Sequence, residues 1–351
     1  MSPTAMLLAS ALATGGDVPP ADPALASASA QVDALMAGYA GDVPGASVLV
    51  VHQGEPVVRR AYGLADVDNA VRATPATNYR LASITKQFTA AAILLLAEDG
   101  RLALDDPLSR WLPSLPPGPG AATLHQVLTH TSGLLDYEDY VPATAATQVR
   151  DADVLHLLEP HDRTLFPPGS DYRYSNSGYA LLALVVAKAS GRGFPAYLRE
   201  NIFLPLGMDA TLARVDDGPP VPHRAYGHGL VDGTWHRTDQ SPTSAVLGDG
   251  GVYSSIDDLA KWDATLYDDR LLSAESRRLA FTPHTSTDDP AVHYGYGWRI
   301  TGKTRWHSGE TIGFRNVIVR WPNRRLTVVV LTNRDDPEPY SLALEIGALF
   351  P

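Results

Sequence analysis

Residues 79–98 read YRLASITKQFTAAAILLLAE. The Ala- and Leu-rich run from Gln87 to Glu98 is helical in character and places Ser83 at about the first turn of that helix. Lys86 follows three residues on, so both side chains project from one helical face within contact distance. A serine hydroxyl is a poor nucleophile until a neighbour accepts its proton. An amine whose charge is disfavoured by burial or by nearby positive charge can do so. The positive end of the helix dipole also favours an anion developing near Ser83. An isolated S-x-x-K is most often a capping serine and a solvated lysine, so the rest of the chain has to supply the context. The sequence holds only four lysines, Lys86, Lys188, Lys261 and Lys303, and Ser83 is the only serine with a lysine three residues later.

Outward from this helix, ASVLVVH at 46–52 and VVRRAYG at 57–63 flank a turn at Gln53-Gly54-Glu55-Pro56, a hairpin pattern. NVIVRW at 316–321 and LTVVVLT at 326–332 repeat it across 322–325, and 296–300 with 304–307 form a third pair across Gly302. Helical periodicity at 30–39, with Val32, Leu35, Met36 and Tyr39 on one face, and at 340–350 supplies cover at both ends. Hairpins with terminal helices predict an antiparallel sheet flanked by helices, an α/β class. Between them, helical pieces at 123–128, 151–158 and 178–189 are broken by Pro and Gly. The expected organisation is a leader or flexible segment at 1–28, a discontinuous α/β lobe from 29–100 plus 240–351, and a mostly helical lobe from 101–239. A cleft between lobes is where a site belongs.

With 351 residues, at roughly 150 per domain, two lobes are the natural division. The net charge of −11 argues against nucleic acid as a partner, and the absence of cysteine excludes disulfides, thiol catalysis and Cys-based metal sites. No run approaches the ~18 apolar residues of a membrane span. Residues 6–13, MLLASALA, have the apolar core and small-residue exit of a signal peptide, yet the first basic residue is Arg59. An exported protein, periplasmic or secreted, is one reading; a cytoplasmic protein with a flexible Ala-rich leader is the other.

No serine has glycine at both −2 and +2, so the α/β-hydrolase elbow is missing. His125/His130, His156/His161 and His223/His228 are each spaced by five, which does not share a helix face, and no metal site is expected. Two further groups do carry chemistry. Tyr174-Ser175-Asn176 lies in a Gly/Ser-rich loop, where the phenol can move protons and the amide can hold a lysine or a carbonyl. Trp306-His307-Ser308-Gly309-Glu310 follows a hairpin turn, and Gly309 is expected to let a substrate backbone approach the strand.

In order and spacing, Ser83/Lys86, Tyr174/Asn176 and His307-Ser308-Gly309 resemble the three motifs of the penicillin-recognising serine hydrolases. The branch is that of class C β-lactamases, D,D-carboxypeptidases, D-aminopeptidases and β-lactamase-like esterases. Tyr79-Arg80-Leu81-Ala82, His130-Thr131-Ser132-Gly133-Leu134 and Gly250-Gly251-Val252-Tyr253-Ser254 fit the same pattern, and the resemblance spans about 30–351. It implies a β-lactamase/penicillin-binding-protein-like fold, acylation of Ser83, and proton exchange with Lys86 and Tyr174, which would then serve the leaving group and the attacking water. Asn176 would position Lys86 and the substrate, His307, Ser308 and Gly309 would orient the substrate, and the backbone N–H groups of Ser83 and Glu310 would form the oxyanion hole. No metal or organic cofactor is implied.

The departure is His307, where many members have lysine. Histidine is mostly neutral at pH 7, so a substrate carboxylate loses its fixed cation. With His307 expected to face the cleft with access to water, the resemblance favours an esterase or D-amino-acid peptidase-like hydrolase acting on a small ester, amide or short D-peptide. A β-lactamase or D,D-carboxypeptidase is the alternative, and a penicillin-binding sensor that acylates and stalls is a further one.

Overall fold

Gln53 and Gly54 turn the chain back on itself with φ of 55° and 89°. This is the left-handed geometry that lets a two-residue hairpin match the twist of its strands. The turn is therefore shorter than expected: Glu55 and Pro56 already belong to the second strand, and His52 pairs with Glu55.

The computed structural model describes residues 23–351. Its main sheet has eight strands: β1 (Ala46–His52), β2 (Glu55–Tyr62), β3 (Thr285–Ser286), β4 (His293–Tyr294), β5 (Arg299–Thr301), β6 (Thr304–Thr311), β7 (Phe314–Trp321) and β8 (Leu326–Thr332). They lie in the order β3-β4-β5-β6-β7-β8-β1-β2, every pair antiparallel. The three expected hairpins are present.

Residues 297–304 spell GWRITGKT, which fits the phosphate-binding G-x-x-x-x-G-K-[ST]. That loop requires a strand running into a helix, whereas this stretch is the β5–β6 hairpin with Gly302 at its turn. It holds no phosphate cradle.

Alternation by two buries the sheet on both faces. Val48, Val50, Val317, Val319, Val328 and Val330 pack with Val32, Met36, Ala343 and Ile346 of the terminal helices, α1 (Pro23–Leu35) and a last helix at Tyr340–Ala348. Leu49, Val51, Ile318, Val329 and Leu331 face the larger core, which includes Phe88 and Ile93 of α2 (Thr85–Glu98). Helix α1 begins at Pro23 and Ala28 is buried in the first of these layers, so the boundary expected at residue 28 falls inside the helix. The signal-peptide reading rests on residues 6–13, which lie outside the described residues. Among the described residues no helix is long and apolar enough to cross a membrane.

On the far side of α2, helix α3 (Asp151–Leu158) and helix α4 (Asn176–Ser190) form where expected. Helix α4 is capped by Ser175 Oγ, which accepts the Gly178 N–H at 3.1 Å, and it ends at Gly191 with φ of 70°. The stretch expected to close the helical lobe is instead extended. The hairpin His228–Val231 with Thr234–Arg237 is tied to the end of the sheet through the His228 N–H and the Asn333 carbonyl.

Candidate active site

Ser83 lies in a 3-10 turn, Ala82–Ile84, that runs straight into α2. The chain entering the turn is fixed from three sides. The Leu81 N–H donates to the Val252 carbonyl at 2.8 Å, Asn316 Nδ2 donates to the Arg80 carbonyl at 2.8 Å, and Gly309 presses against Leu81. A Cβ at position 309 would lie 2.0 Å from the Leu81 carbonyl oxygen. Gly309 is therefore required for contact between β6 and the segment carrying Ser83. Ala82 takes φ of 49°, an unusual left-handed conformation for a residue with a Cβ. Ser83 itself is half-buried and borders an open cleft with Glu138, Asn176, Gly250, Glu310 and Thr311.

Lys86 is completely enclosed. Its Nζ lies 3.0 Å from Ser83 Oγ, 2.8 Å from Asn176 Oδ1 and 2.9 Å from the Asp249 carbonyl oxygen. The last two can only accept. A neutral amine that donates to both has its lone pair directed at the third neighbour, the Ser83 hydroxyl. The geometry thus permits Lys86 to take the serine proton without either side chain moving.

Asn176 is the first residue of α4, so the Ser175 cap sets its direction. While its Oδ1 accepts from Lys86, its Nδ2 donates to Glu138 Oε1 at 3.2 Å. Tyr174 precedes the cap. Its ring centroid is 4.8 Å from Lys86 Nζ, and its enclosed hydroxyl makes no hydrogen bond among the described residues.

His307 departs from expectation. It is 1% exposed and does not border the cleft. Its Nδ1 donates to the Ser308 carbonyl at 2.6 Å, and its Nε2 accepts from the Tyr294 hydroxyl at 2.9 Å. Burial, reinforced by the positive charge of Arg299, pushes its pKa well below the ordinary value. The ring is a neutral wall element behind β6, and the expected water-accessible position facing a substrate carboxylate is not found. Ser308 is half-buried, and Glu310 is exposed at the cleft.

Several residues at the site carried no signal in the sequence. The Asp249 main-chain oxygen holds Lys86, and its enclosed carboxylate accepts the Tyr137 hydroxyl at 3.1 Å; burial raises its pKa to about 6. Asp151, at the start of α3, accepts the N–H groups of Leu247 at 3.1 Å and Gly248 at 3.0 Å, and burial raises its pKa to about 7. The two carboxylates steady the turn that presents the Asp249 carbonyl. Glu138, whose pKa is raised by burial and by Asp136, is the acidic group at the cleft beside Asn176. Asp249 directly precedes the Gly250-Gly251 pair noted above, but a main-chain acceptor leaves no mark in side-chain identity.

The beta-lactamase family profile matches residues 28–348, nearly the whole of the described chain. The chain belongs to the beta-lactamase family. This is a family of β-lactamase-fold serine hydrolases that includes penicillin-binding proteins. The chain is 31% identical over 319 residues to penicillin-binding protein 4* of Bacillus subtilis, covering 85% of this chain and 70% of that protein. It is 32% identical to a D-aminopeptidase of Gluconobacter oxydans, covering 87% of this chain and 58% of that one. The D-amino acid amidase of Ochrobactrum anthropi SV3, solved with L-phenylalanine amide, superposes with a TM-score of 0.76 at 26% identity, covering 92% of this chain and 98% of that one. The mixed α/β fold, with its large antiparallel sheet flanked by helices, is that of this family.

Proposed function

We propose that this member of the beta-lactamase family hydrolyses a small ester or amide through an acyl-enzyme at Ser83. The observation that carries this is the position of Lys86 Nζ, 3.0 Å from Ser83 Oγ and held by two acceptors. Lys86 takes the proton as Ser83 Oγ attacks the carbonyl carbon. The N–H groups of Ser83 and Glu310 receive the developing oxyanion. Tyr174 returns a proton to the leaving group and then draws one from the water that releases the acid. Asn176 orients Lys86 and the bound carbonyl, and the strand His307-Ser308-Gly309 forms the wall along which the substrate lies. No step calls for a metal or organic cofactor.

Within that reading, D-amino-acid amides and short D-peptides with a free amino group are the favoured substrates. Glu138 places a carboxylate at the cleft next to Asn176, with Asp136 and Asp139 beside it. A neutral, enclosed His307 offers nothing to the carboxylate of a penicillin or of a terminal D-alanine. The likeness to a D-aminopeptidase and a D-amino acid amidase supports the same choice.

The test is a panel of D-phenylalanine amide, a D-alanyl peptide, p-nitrophenyl acetate and butyrate, and nitrocefin, followed by product release and intact-protein mass. The expected result is turnover of esters and amine-bearing amides with an acyl adduct on Ser83. A permanent adduct without turnover would mean a sensor, and efficient nitrocefin hydrolysis a β-lactamase. Undiminished fluorophosphonate labelling of Ser83→Ala would overturn the site.

A further inference from the structure

His130 grips the chain on both sides of Tyr174. Its carbonyl accepts the Arg173 N–H at 2.9 Å, and its Nδ1 accepts the Ser175 N–H at 3.1 Å. An imidazole accepts at Nδ1 only when neutral, with its proton on Nε2. The ring is completely buried and lies against the Tyr174 ring, centroid to centroid 4.2 Å. The groups facing it are Lys86, Arg299 and His307 together with Tyr172, Tyr174, Tyr179 and Tyr294. Burial and the positive charges among these hold its pKa well below the ordinary value, so the accepting form persists into acid.

The backbone adds a second requirement. His130 has φ of 60°, in the left-handed region where a residue with a Cβ is uncommon and Asn, Asp and His are enriched. This conformation lets one residue present both its carbonyl and its ring edge to the same passing segment. Most side chains meet one demand or neither.

We propose that His130 is a positioning residue for acyl transfer: by clamping the N–H groups of Arg173 and Ser175 it fixes the direction in which Tyr174 faces Lys86. His130 touches no substrate. It acts through Tyr174, and the proposal rests on the reading of Ser83, Lys86 and Tyr174 given above.

Two variants separate the demands. His130→Asn keeps a residue at ease with positive φ and places an amide oxygen where Nδ1 stood. His130→Gly keeps the backbone freedom and removes the acceptor. The measurements are the kcat and KM for p-nitrophenyl butyrate, the melting temperature, and amide hydrogen exchange across 169–178. The Asn variant is expected to work close to the wild-type rate with the segment protected. The Gly variant is expected to lose about a hundredfold in kcat, as displaced catalytic groups do, with KM little changed and faster exchange at Ser175. A Gly variant as active and as protected as the Asn variant would overturn the proposal. So would a folded Asn variant as slow as the Gly variant. If wild type shows no acylation of Ser83, the functional reading fails by itself, and the exchange data still decide the clamp: equal protection in wild type and the Gly variant would dispose of it.

Discussion

The imidazole of His307 and the phenol of Tyr294 meet at 2.9 Å inside a wall that water does not reach. Since the ring stays neutral, the ratio of activities on anionic and neutral substrates should be flat between pH 5.5 and 8. Replacement by lysine should not recruit penicillins. It would strip the Tyr294 hydroxyl of its acceptor and set an ammonium near Lys86 and Arg299, so His307→Lys should lose at least about 1–3 kcal/mol of stability in urea unfolding. A substrate ratio that rises in acid would contradict this arrangement.

Four buried titrating groups pull stability in opposite directions. His130 and His307 have depressed folded values, so their contribution is present above the unfolded value near 6.5 and is lost as the pH falls below it. Asp151 and Asp249 have raised values, about 7 and about 6, so theirs is present below the unfolded value near 3.9 and is lost as the pH rises through 6 to 7. Between pH 4.5 and 6.5 the two pairs act in opposite senses. Asp151→Asn removes one of the two opposing carboxylates. Its stability relative to wild type should therefore fall on acidification, by up to about 1.4 kcal/mol per pH unit. Urea midpoints at both pH values check it, and a constant difference would count against a raised Asp151.

Tyr174→Phe should separate activity from stability. The hydroxyl has no hydrogen-bond partner among the described residues, so its loss should leave the melting temperature unchanged or higher. The acylation rate should nevertheless drop by about 10² to 10⁴. Combined with Lys86→Ala, the two losses should not add, because both residues serve one proton path. Stopped-flow release of p-nitrophenol reads both, and full additivity would mean separate paths.

Two glycines near the nucleophile should respond differently to alanine. Gly309→Ala brings a methyl group onto the Leu81 carbonyl and should lose about 1–3 kcal/mol or more, with displacement of Ser83 and slower labelling. At Gly250 the added carbon would stand 3.5 Å from Ala82 Cα, an ordinary contact, so Gly250→Ala should keep its melting temperature. Equal tolerance at both positions would contradict the packing of β6 on the Ser83 segment.

Glu138→Gln keeps an oxygen for Asn176 Nδ2 and removes the charge. The ratio of kcat/KM for D-phenylalanine amide to that for p-nitrophenyl butyrate should fall about 10- to 100-fold, the size of a charge-assisted hydrogen bond. An unmoved ratio would detach Glu138 from the substrate's amino group.

What the sequence disclosed is what short-range geometry determines. Ser83 and Lys86 are neighbours because a helical turn makes them so, and β1, β7 and β8 are visible as β-branched apolar runs beside short turns. The capping serine at 175 sets where α4 begins, yet the Tyr174 and Asn176 side chains it aims meet Lys86 only through tertiary packing. Residues whose meaning depends on distant partners were misread or silent. Gly309 makes room for the Leu81 carbonyl, a partner too far away in the chain for the sequence to announce. His307 looked solvent-facing because nothing local announces Tyr294. Asp249 contributes a carbonyl oxygen, which every residue has, and Glu138 stands in a stretch without periodicity.

The pairing of β1 with β8 sets an order on the making of this molecule. Residues 46–52 find one of their two neighbours early, at 55–62, and the other only when 326–332 have left the ribosome. The segment bearing Ser83 likewise leans on Gly309 and Asn316. A nascent chain therefore carries its serine and lysine without the strands that aim them until residues 309 and 316 have been made. Contacts so far apart in the chain form late and slowly. Hydrolytic competence should thus arrive abruptly with the last strands, leaving the unfinished polypeptide harmless to esters and amides around it.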